Sequence, residues 1–156
     1  MERYIFRNSV CMEKMVEVLV SQHDELRTLL GQMEQCALHS DEYAQIVNLQ
    51  EAFLKKLEGH LSLENGFFYP KILEGMKRKD TPSEQIDKTK LFISKMKEIE
   101  VQTIQFFDTY KTAAEIGANK ESYVHDLKDI MSTLVMRIES EEEGVYIMWD
   151  FFGEKE

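Results

Sequence analysis

The sequence contains few residues that interrupt helices: 2 prolines and 7 glycines among 156 residues. It also has no segment of useful length in which apolar and polar residues strictly alternate, which is the pattern of a half-buried strand. Hydrophobic residues make up 43% of the chain, enough at this length for one domain with its own core. These absences argue against a strand-rich protein, and we expect a single all-α domain that spans residues 1–156.

Long apolar runs and paired cysteines are also missing. No 18 consecutive residues are apolar enough for a transmembrane helix, and the first residues lack the apolar centre of a secretory signal. Cys11 and Cys36 fall on one predicted helix. At about 1.5 Å of rise per residue they lie tens of ångströms apart, too far for a disulfide. Two free thiols suit a reducing compartment, so we expect a cytoplasmic protein without a membrane partner.

Positive charge is scarce: 19 lysines and arginines stand against 29 acidic residues, which leaves a net charge of −10. Such a surface repels nucleic-acid backbones and anionic lipid, so we expect no nucleic acid as a partner. A homodimer or a complex with a regulatory protein stays open. The aromatic residues near the end of the sequence either close one end of the fold or form a dimer contact: Trp149, Phe151 and Phe152.

What the sequence does contain is four stripes of apolar residues at helical spacing, which predict four long helices. Capping residues and polar stretches place these helices at about residues 9–37, 42–75, 82–117 and 120–152. Pro70 is expected to kink the second helix or to end its regular part. Because the connections are short, the fold predicted is an antiparallel up-and-down four-helix bundle.

Two of these apolar stripes carry charged residues with the same spacing. His60 precedes Glu64 by four residues on the second helix, and Arg137 precedes Glu141 by four residues on the fourth. Residues four apart lie on one face of a helix, and here that face is the one predicted to be buried. A buried carboxylate without a partner is costly, so each glutamate requires a cation nearby.

His23 occupies a similar position on the first helix. Counting equal rise per residue on both sides of the short loops brings His23, His60, Glu64 and Glu141 to one level, with Arg137 beside them. Two imidazoles and two carboxylates are a plausible ligand set for a divalent first-row metal, and they suit iron, zinc and manganese alike. At the same level the third helix offers only apolar side chains: Phe92, Met96 and Ile99.

The order of these motifs resembles the hemerythrin-like HHE cation-binding family. The likeness is closest at residues 21–26 and 64–70, and it extends over about residues 10–150. The resemblance implies two non-haem irons held between four helices. One of these irons would take two histidines and two bridging carboxylates, and the residues that match them here are His23, His60, Glu64 and Glu141.

The other iron position of the family requires histidines from the third and fourth helices. The predicted third helix contains no histidine, and Arg137 stands where the fourth helix should supply one. Our hypothesis is that Arg137 fills the vacated position as a fixed cation, because a guanidinium is always charged and can bind carboxylates through two nitrogens. The alternative is that Arg137 extends to the surface and pairs with an acidic residue there.

Several neighbouring residues receive a simpler interpretation. Tyr69 and Tyr146 each follow a motif glutamate by five residues, and core packing is favoured over a role as hydrogen-bond donors. Three further glutamates around Glu141 are interpreted as a solvated acidic face: Glu139, Glu142 and Glu143. His39 and His125 are expected to be exposed and to have no role.

The function predicted is metal binding with one of the two positions kept, in a sensing, regulatory or metal-handling role. The resemblance favours iron. Reversible oxygen carriage is not expected, because in the family it uses both irons. The alternative is an interaction or regulatory module that binds no metal and holds a buried His-Glu-Arg network. An oxygen-activating enzyme is a third and weaker interpretation, since the sequence shows no substrate pocket.

Overall fold

The apolar stripes of the sequence become the buried faces of a helical bundle in the computed structural model, which describes residues 14–153. The expected all-α class is confirmed, and no strand occurs in that range. The predicted start of the first helix near residue 9 and the residue Cys11 lie outside the described range. Cys36 is a free thiol. The α-helices are α1 Met15–His39, α2 Tyr43–Leu63, α3 Tyr69–Arg78, α4 Ser83–Thr109, α5 Ala113–Ala118, α6 Lys120–Ser140 and α7 Trp149–Phe152.

Two π-helical turns interrupt the regular helices, and each begins at a motif glutamate. The first, Glu64–Phe68, joins α2 to α3, and the second, Glu141–Val145, follows α6. Pro70 lies in the first turn of α3, where its missing N–H costs little. The irregularity expected at Pro70 therefore occurs a few residues earlier, as a π-helical turn.

The third predicted helix is shorter in the structure than in the sequence-based prediction. It ends at Thr109, and a separate short helix, α5, follows. The side chain of Thr112 accepts a hydrogen bond from the backbone N–H of Glu115 at 3.2 Å, which caps the start of α5. The cap at Thr112 and the burial of Ile116 therefore favour a separate short helix over a continuation of the long helix.

The long helices surround one interior. α1 contacts α2 and α6, while α4 contacts α3 and α6, so that the first and last long helices are neighbours. The up-and-down order of the four stays a prediction. α7 packs against α3 at Gly75, where an added Cβ would lie 1.8 Å from the carbonyl oxygen of Phe152. Among the described helices, none is both long enough and apolar enough to cross a bilayer.

The interior consists of two apolar clusters with a polar layer between them. The first cluster includes Leu26, Leu30, Phe53, Leu57, Phe106, Tyr123, Leu127 and Leu134. The second cluster includes Met15, Leu19, Phe68, Ile72, Ile93, Val145 and Trp149. Along α1, along α2 and α6 and at the start of the π-helical turns that follow them, the polar motif residues lie between the two clusters. They form what we call the polar layer, and all are buried: His23, His60, Glu64, Arg137 and Glu141.

Candidate metal centre

The polar layer brings together the four residues that the sequence analysis singled out as metal ligands. His23 comes from α1 and His60 from the last turn of α2, while Glu64 and Glu141 are the first residues of the two π-helical turns. Each contributes one candidate ligand atom, and these atoms lie within 4.8 Å of one another. Three of the four side chains are fully enclosed, with 0% exposure for His23, Glu64 and Glu141.

The two imidazoles face each other across the centre. Their Nε2 atoms are 3.1 Å apart. The Nε2 atom of His23 also lies 3.2 Å from Oε1 of Glu141, and that of His60 lies 3.3 Å from Oε2 of Glu64. Two ring nitrogens and two carboxylate oxygens therefore point into the same small volume, which is a donor set suited to a divalent cation.

The outer nitrogens of the two rings also have partners. Nδ1 of His23 is 2.8 Å from Oε2 of Glu142, and Nδ1 of His60 is 2.7 Å from Oε1 of Gln22. Glu142 also accepts hydrogen bonds from Arg27 at 3.0 and 3.2 Å. The expectation of a solvated Glu142 is therefore wrong. Its neighbours Glu139 and Glu143 are exposed, and nothing in the order of the acidic residues distinguishes Glu142 from them.

Arg137 is buried at the centre instead of extending to the surface. Its Nη2 atom donates to Oε1 of Glu64 at 3.0 Å, and its Nε atom lies 3.6 Å from Oε1 of Glu141. Its Nη1 atom donates to the backbone carbonyl of Met96 on α4 at 3.0 Å. Burial alone would lower the pKa of Arg137, but the charges of Glu141 and Glu64 outweigh it and raise the pKa, so the guanidinium stays positive.

The two tyrosines are hydrogen-bond donors, which corrects the expectation that they only pack. Tyr146 donates to Oε2 of Glu64 at 2.5 Å, and Tyr69 donates to Oε2 of Glu141, so each tyrosine binds the glutamate of the other motif. The Tyr146 hydroxyl also lies 3.0 Å from Nε2 of His23. Burial and then the charge of Glu64 raise the pKa of both phenols, which therefore remain protonated donors.

The π-helical turns explain why the tyrosines reach the centre. On an α-helix, residues five apart point about 140° away from each other. In each π-helical turn the backbone N–H of the tyrosine instead bonds the carbonyl of the glutamate five residues earlier, at 2.9 Å for Tyr146 and Glu141. The spacing of five residues between each glutamate and its tyrosine is visible in the sequence. Only the π-helical turn, however, brings both side chains to the same face.

One carboxylate oxygen in the layer lacks a hydrogen bond. Arg137 and the two tyrosines satisfy both oxygens of Glu64 and Oε2 of Glu141, while Oε1 of Glu141 accepts no hydrogen bond from the described residues. Burial raises the pKa of Glu141, and the close contact with the His23 ring partly opposes that shift. A buried, unsatisfied carboxylate oxygen beside two imidazole nitrogens fits a bound cation.

A family model for the hemerythrin HHE cation binding domain matches residues 14–149. The chain belongs to the hemerythrin HHE family. No curated protein and no solved structure matches it. In this hemerythrin-domain chain, the cation binding named by the family agrees with a buried His/Glu cluster that could hold a divalent metal.

The electrostatics of the hemerythrin-domain centre distinguish the two histidines. Burial, and then the charge of His23, lowers the pKa of His60 to about 3, so its ring is neutral, as metal binding requires. Burial also acts to lower the pKa of His23, but its close contacts with the carboxylates of Glu141 and Glu142 outweigh burial and raise that pKa. Without a metal, His23 is therefore the ring that more readily holds a second proton.

A second group of potential ligands lies on the surface. His125 on α6 is 3.3 Å from Asp126 and 3.7 Å from Asp129, and its side chain is 74% exposed. His39, at the end of α1, is also exposed, as expected. Exposed acidic groups of this kind are common without a metal, whereas the hemerythrin-domain centre is enclosed by both apolar clusters.

Proposed function

We propose that this chain holds one divalent metal ion through His23, His60, Glu64 and Glu141, and that Arg137 supplies a further positive charge. The proposal rests on the two carboxylate oxygens of Glu64, which have different partners. Its Oε1 atom lies 3.0 Å from Nη2 of Arg137, while its Oε2 atom lies 3.3 Å from Nε2 of His60. The carboxylate thus has a permanent cation on one side and the candidate metal ligands on the other.

Charge favours one ion over two. One divalent ion already balances the carboxylates of Glu64 and Glu141, and the Arg137 guanidinium beside them adds a further positive charge. A second divalent ion would lie close to that guanidinium and be repelled in a poorly screened interior. In addition, α4 contains no histidine between Ser83 and Thr109 that could bind it.

The family relation favours iron, although zinc and manganese accept the same ligands. A bound iron would be held by these four residues and would supply a change of oxidation state. We propose that the chain uses this in a sensing, regulatory or metal-handling role in the cytoplasm, with a second copy or a regulatory protein as partner. Oxygen carriage that depends on two irons is not part of the proposal.

A module without metal is the second candidate, and one specific observation favours it. The hydrogen bonds of Arg137, Tyr69 and Tyr146 satisfy three of the four oxygens of Glu64 and Glu141 with the chain's own side chains. A buried polar network of this kind can keep helices in one register. The chain would then present a stable bundle surface to a partner.

Metal analysis separates the two candidates. The untagged protein is purified without chelator, supplied anaerobically with Fe(II), and in parallel with Zn²⁺ or Mn²⁺, and then freed of unbound ions. We expect one ion per chain in the parent and none in His60→Ala, with circular dichroism confirming that the variant is folded. Two ions per chain would overturn the single-ion proposal, and no ion after Fe(II) addition would leave the metal-free module.

The role of Arg137 has its own test. Arg137→His replaces the fixed cation with a ligand that is neutral in its metal-binding form. We expect this variant either to bind more metal or to be less stable than the parent when metal-free. Equal metal content together with equal thermal stability would show that the guanidinium is not a substitute for a metal.

A further inference from the structure

The outer nitrogens of the two histidines support a further inference, which rests on the proposed metal role. We propose that Gln22 and Glu142 are positioning residues: they hold the outer N–H of each imidazole and thereby turn Nε2 of His23 and His60, which carries the lone pair when the ring is neutral, towards the centre. Neither residue belongs to the group of candidate metal ligands. Their effect is to orient the two histidines that do belong to it.

The contact of Glu142 with His23 indicates which ring nitrogen of His23 carries a proton. An ionised carboxylate only accepts hydrogen bonds, so the proton in this 2.8 Å contact belongs to Nδ1 of His23. Glu142 is itself held by Arg27, which donates to both of its oxygens, at 3.0 and 3.2 Å. The outer partner of His23 is therefore fixed in position before any metal arrives.

Gln22 plays the corresponding part for His60. Its Oε1 atom is 2.7 Å from Nδ1 of His60, so the amide oxygen accepts the Nδ1 proton. A neutral imidazole carries one N–H, and this hydrogen bond uses it. Nε2 of His60 then keeps a free lone pair, directed at the centre and 3.1 Å from Nε2 of His23.

Together, the two contacts favour the binding of a cation between the two rings. If both rings carry their proton on Nδ1, two lone pairs face each other across 3.1 Å beside two carboxylates. This arrangement is unfavourable unless a cation lies between them. Metal-binding histidines commonly donate their other N–H to a carboxylate or carbonyl oxygen, and loss of that partner typically weakens metal binding by about 10- to 100-fold.

The test for Gln22 compares two substitutions of similar length. Gln22→Met removes the acceptor, whereas Gln22→Glu keeps an oxygen that can only accept. We expect the affinity for Zn²⁺, measured by competition with a chelator, to fall by about 10- to 100-fold in Gln22→Met and to stay near the parent's in Gln22→Glu. If Gln22→Glu binds as weakly as Gln22→Met, the glutamine instead donates to the ring, and the proposal is wrong.

The test for Glu142 has a matched control in the next residue. Glu142→Met removes the acceptor, Glu142→Gln keeps an acceptor oxygen without the charge, and Glu143→Gln makes the same charge change at an exposed position. We expect Glu142→Met to lose about 10- to 100-fold in Zn²⁺ affinity, Glu142→Gln to lose less, and Glu143→Gln to match the parent. Equal affinity of parent and Glu142→Met overturns the proposal for this residue.

A second measurement reports the tautomer without any metal. In the ¹⁵N-labelled, metal-free protein, long-range ¹H–¹⁵N spectra distinguish a ring protonated at Nδ1 from one protonated at Nε2. We expect the Nδ1–H form for His60 in the parent and in Gln22→Glu, and its loss in Gln22→Met. An Nε2–H form in the parent refutes the positioning role. A parent that shows Nδ1–H and yet binds no ion refutes the proposed metal function instead.

Discussion

Arg137 is a charged side chain that is buried with only 4% of its surface exposed, beside two carboxylates that are fully enclosed. Removing such charges from water is costly, and their attraction offsets that cost only when the hydrogen bonds are well made. Arg137 meets this condition through hydrogen bonds to Glu64 and to the carbonyl of Met96, and it also forms an ion pair with Glu141 at 3.6 Å. The guanidinium therefore stabilises the layer mainly by preventing two buried negative charges from being left alone.

Replacing Arg137 with methionine keeps most of the volume and removes the charge. We expect Arg137→Met to lower the free energy of unfolding of the metal-free protein by about 3–5 kcal/mol, because Glu64 and Glu141 lose their buried cation. The measurement is denaturant unfolding. Arg78→Met, at an exposed position of α3, is the control and should change stability by less than about 0.5 kcal/mol. A similarly small change in Arg137→Met would mean that the carboxylates are not ionised together.

At the scale of the element, the π-helical turns determine which side chains share a face. Because each turn links a glutamate to the tyrosine five residues later, the turn after α2 presents Glu64 and Tyr69 to the interior, and the turn after α6 presents Glu141 and Tyr146. The exchange of hydrogen bonds between the two turns ties α2 and α6 together across the layer. Shortening either turn by one residue would rotate its tyrosine away.

A second element-scale feature is the close approach of α7 to α3, which Gly75 permits. A Cβ at this position would overlap the carbonyl of Phe152, an atom of the backbone that cannot rotate away. We expect Gly75→Ala to lower stability by about 1–3 kcal/mol in thermal or denaturant unfolding. Gly59→Ala, at an exposed position of α2 with no atom near the added Cβ, should instead raise stability by about 0.5–1 kcal/mol. Stabilisation by both would show that α7 does not pack against Gly75 in solution.

At the scale of the whole molecule, the polar layer divides the interior into two apolar clusters. α1 has buried residues in both clusters, and so does α4, with Ile93 in the second cluster and Phe106 in the first, while α2 and α6 continue into the second cluster through the π-helical turns. A helix is stabilised chiefly by its packing. When one cluster loses its packing, a helix that contributes to both clusters is therefore destabilised in the other cluster as well. We therefore expect the two clusters to unfold together as the single domain that the sequence analysis predicts.

Two probes can check this cooperativity. Trp149 is the single tryptophan of the chain and lies in the second cluster, so its fluorescence reports one half, whereas far-ultraviolet circular dichroism reports all helices. We expect coincident denaturant transitions. Phe53→Ala in the first cluster and Phe68→Ala in the second should each lower stability by about 3–5 kcal/mol and shift both signals equally. A fluorescence change that precedes the loss of helix would indicate two separately unfolding halves.

Much of the candidate centre could be predicted because helical geometry is regular. Equal rise per residue and short loops were enough to bring His23, His60, Glu64 and Glu141 together by counting alone. The contributions of Glu142 and Gln22 could not be predicted in the same way. They lie at the edge of a helix face, and a rotation of a few tens of degrees decides whether such a side chain meets a histidine or water.

The sequence by itself determined the helical class, the level of the polar layer and the position of Arg137 four residues before Glu141, because spacing along a helix translates directly into position. Only the tertiary structure decided where the charges meet. The burial of Arg137 between both glutamates, the crossed bonds of Tyr69 and Tyr146, and the unsatisfied oxygen of Glu141 depend on how helices rotate against each other. That rotation is set by packing among residues distant in the chain, which no local pattern records.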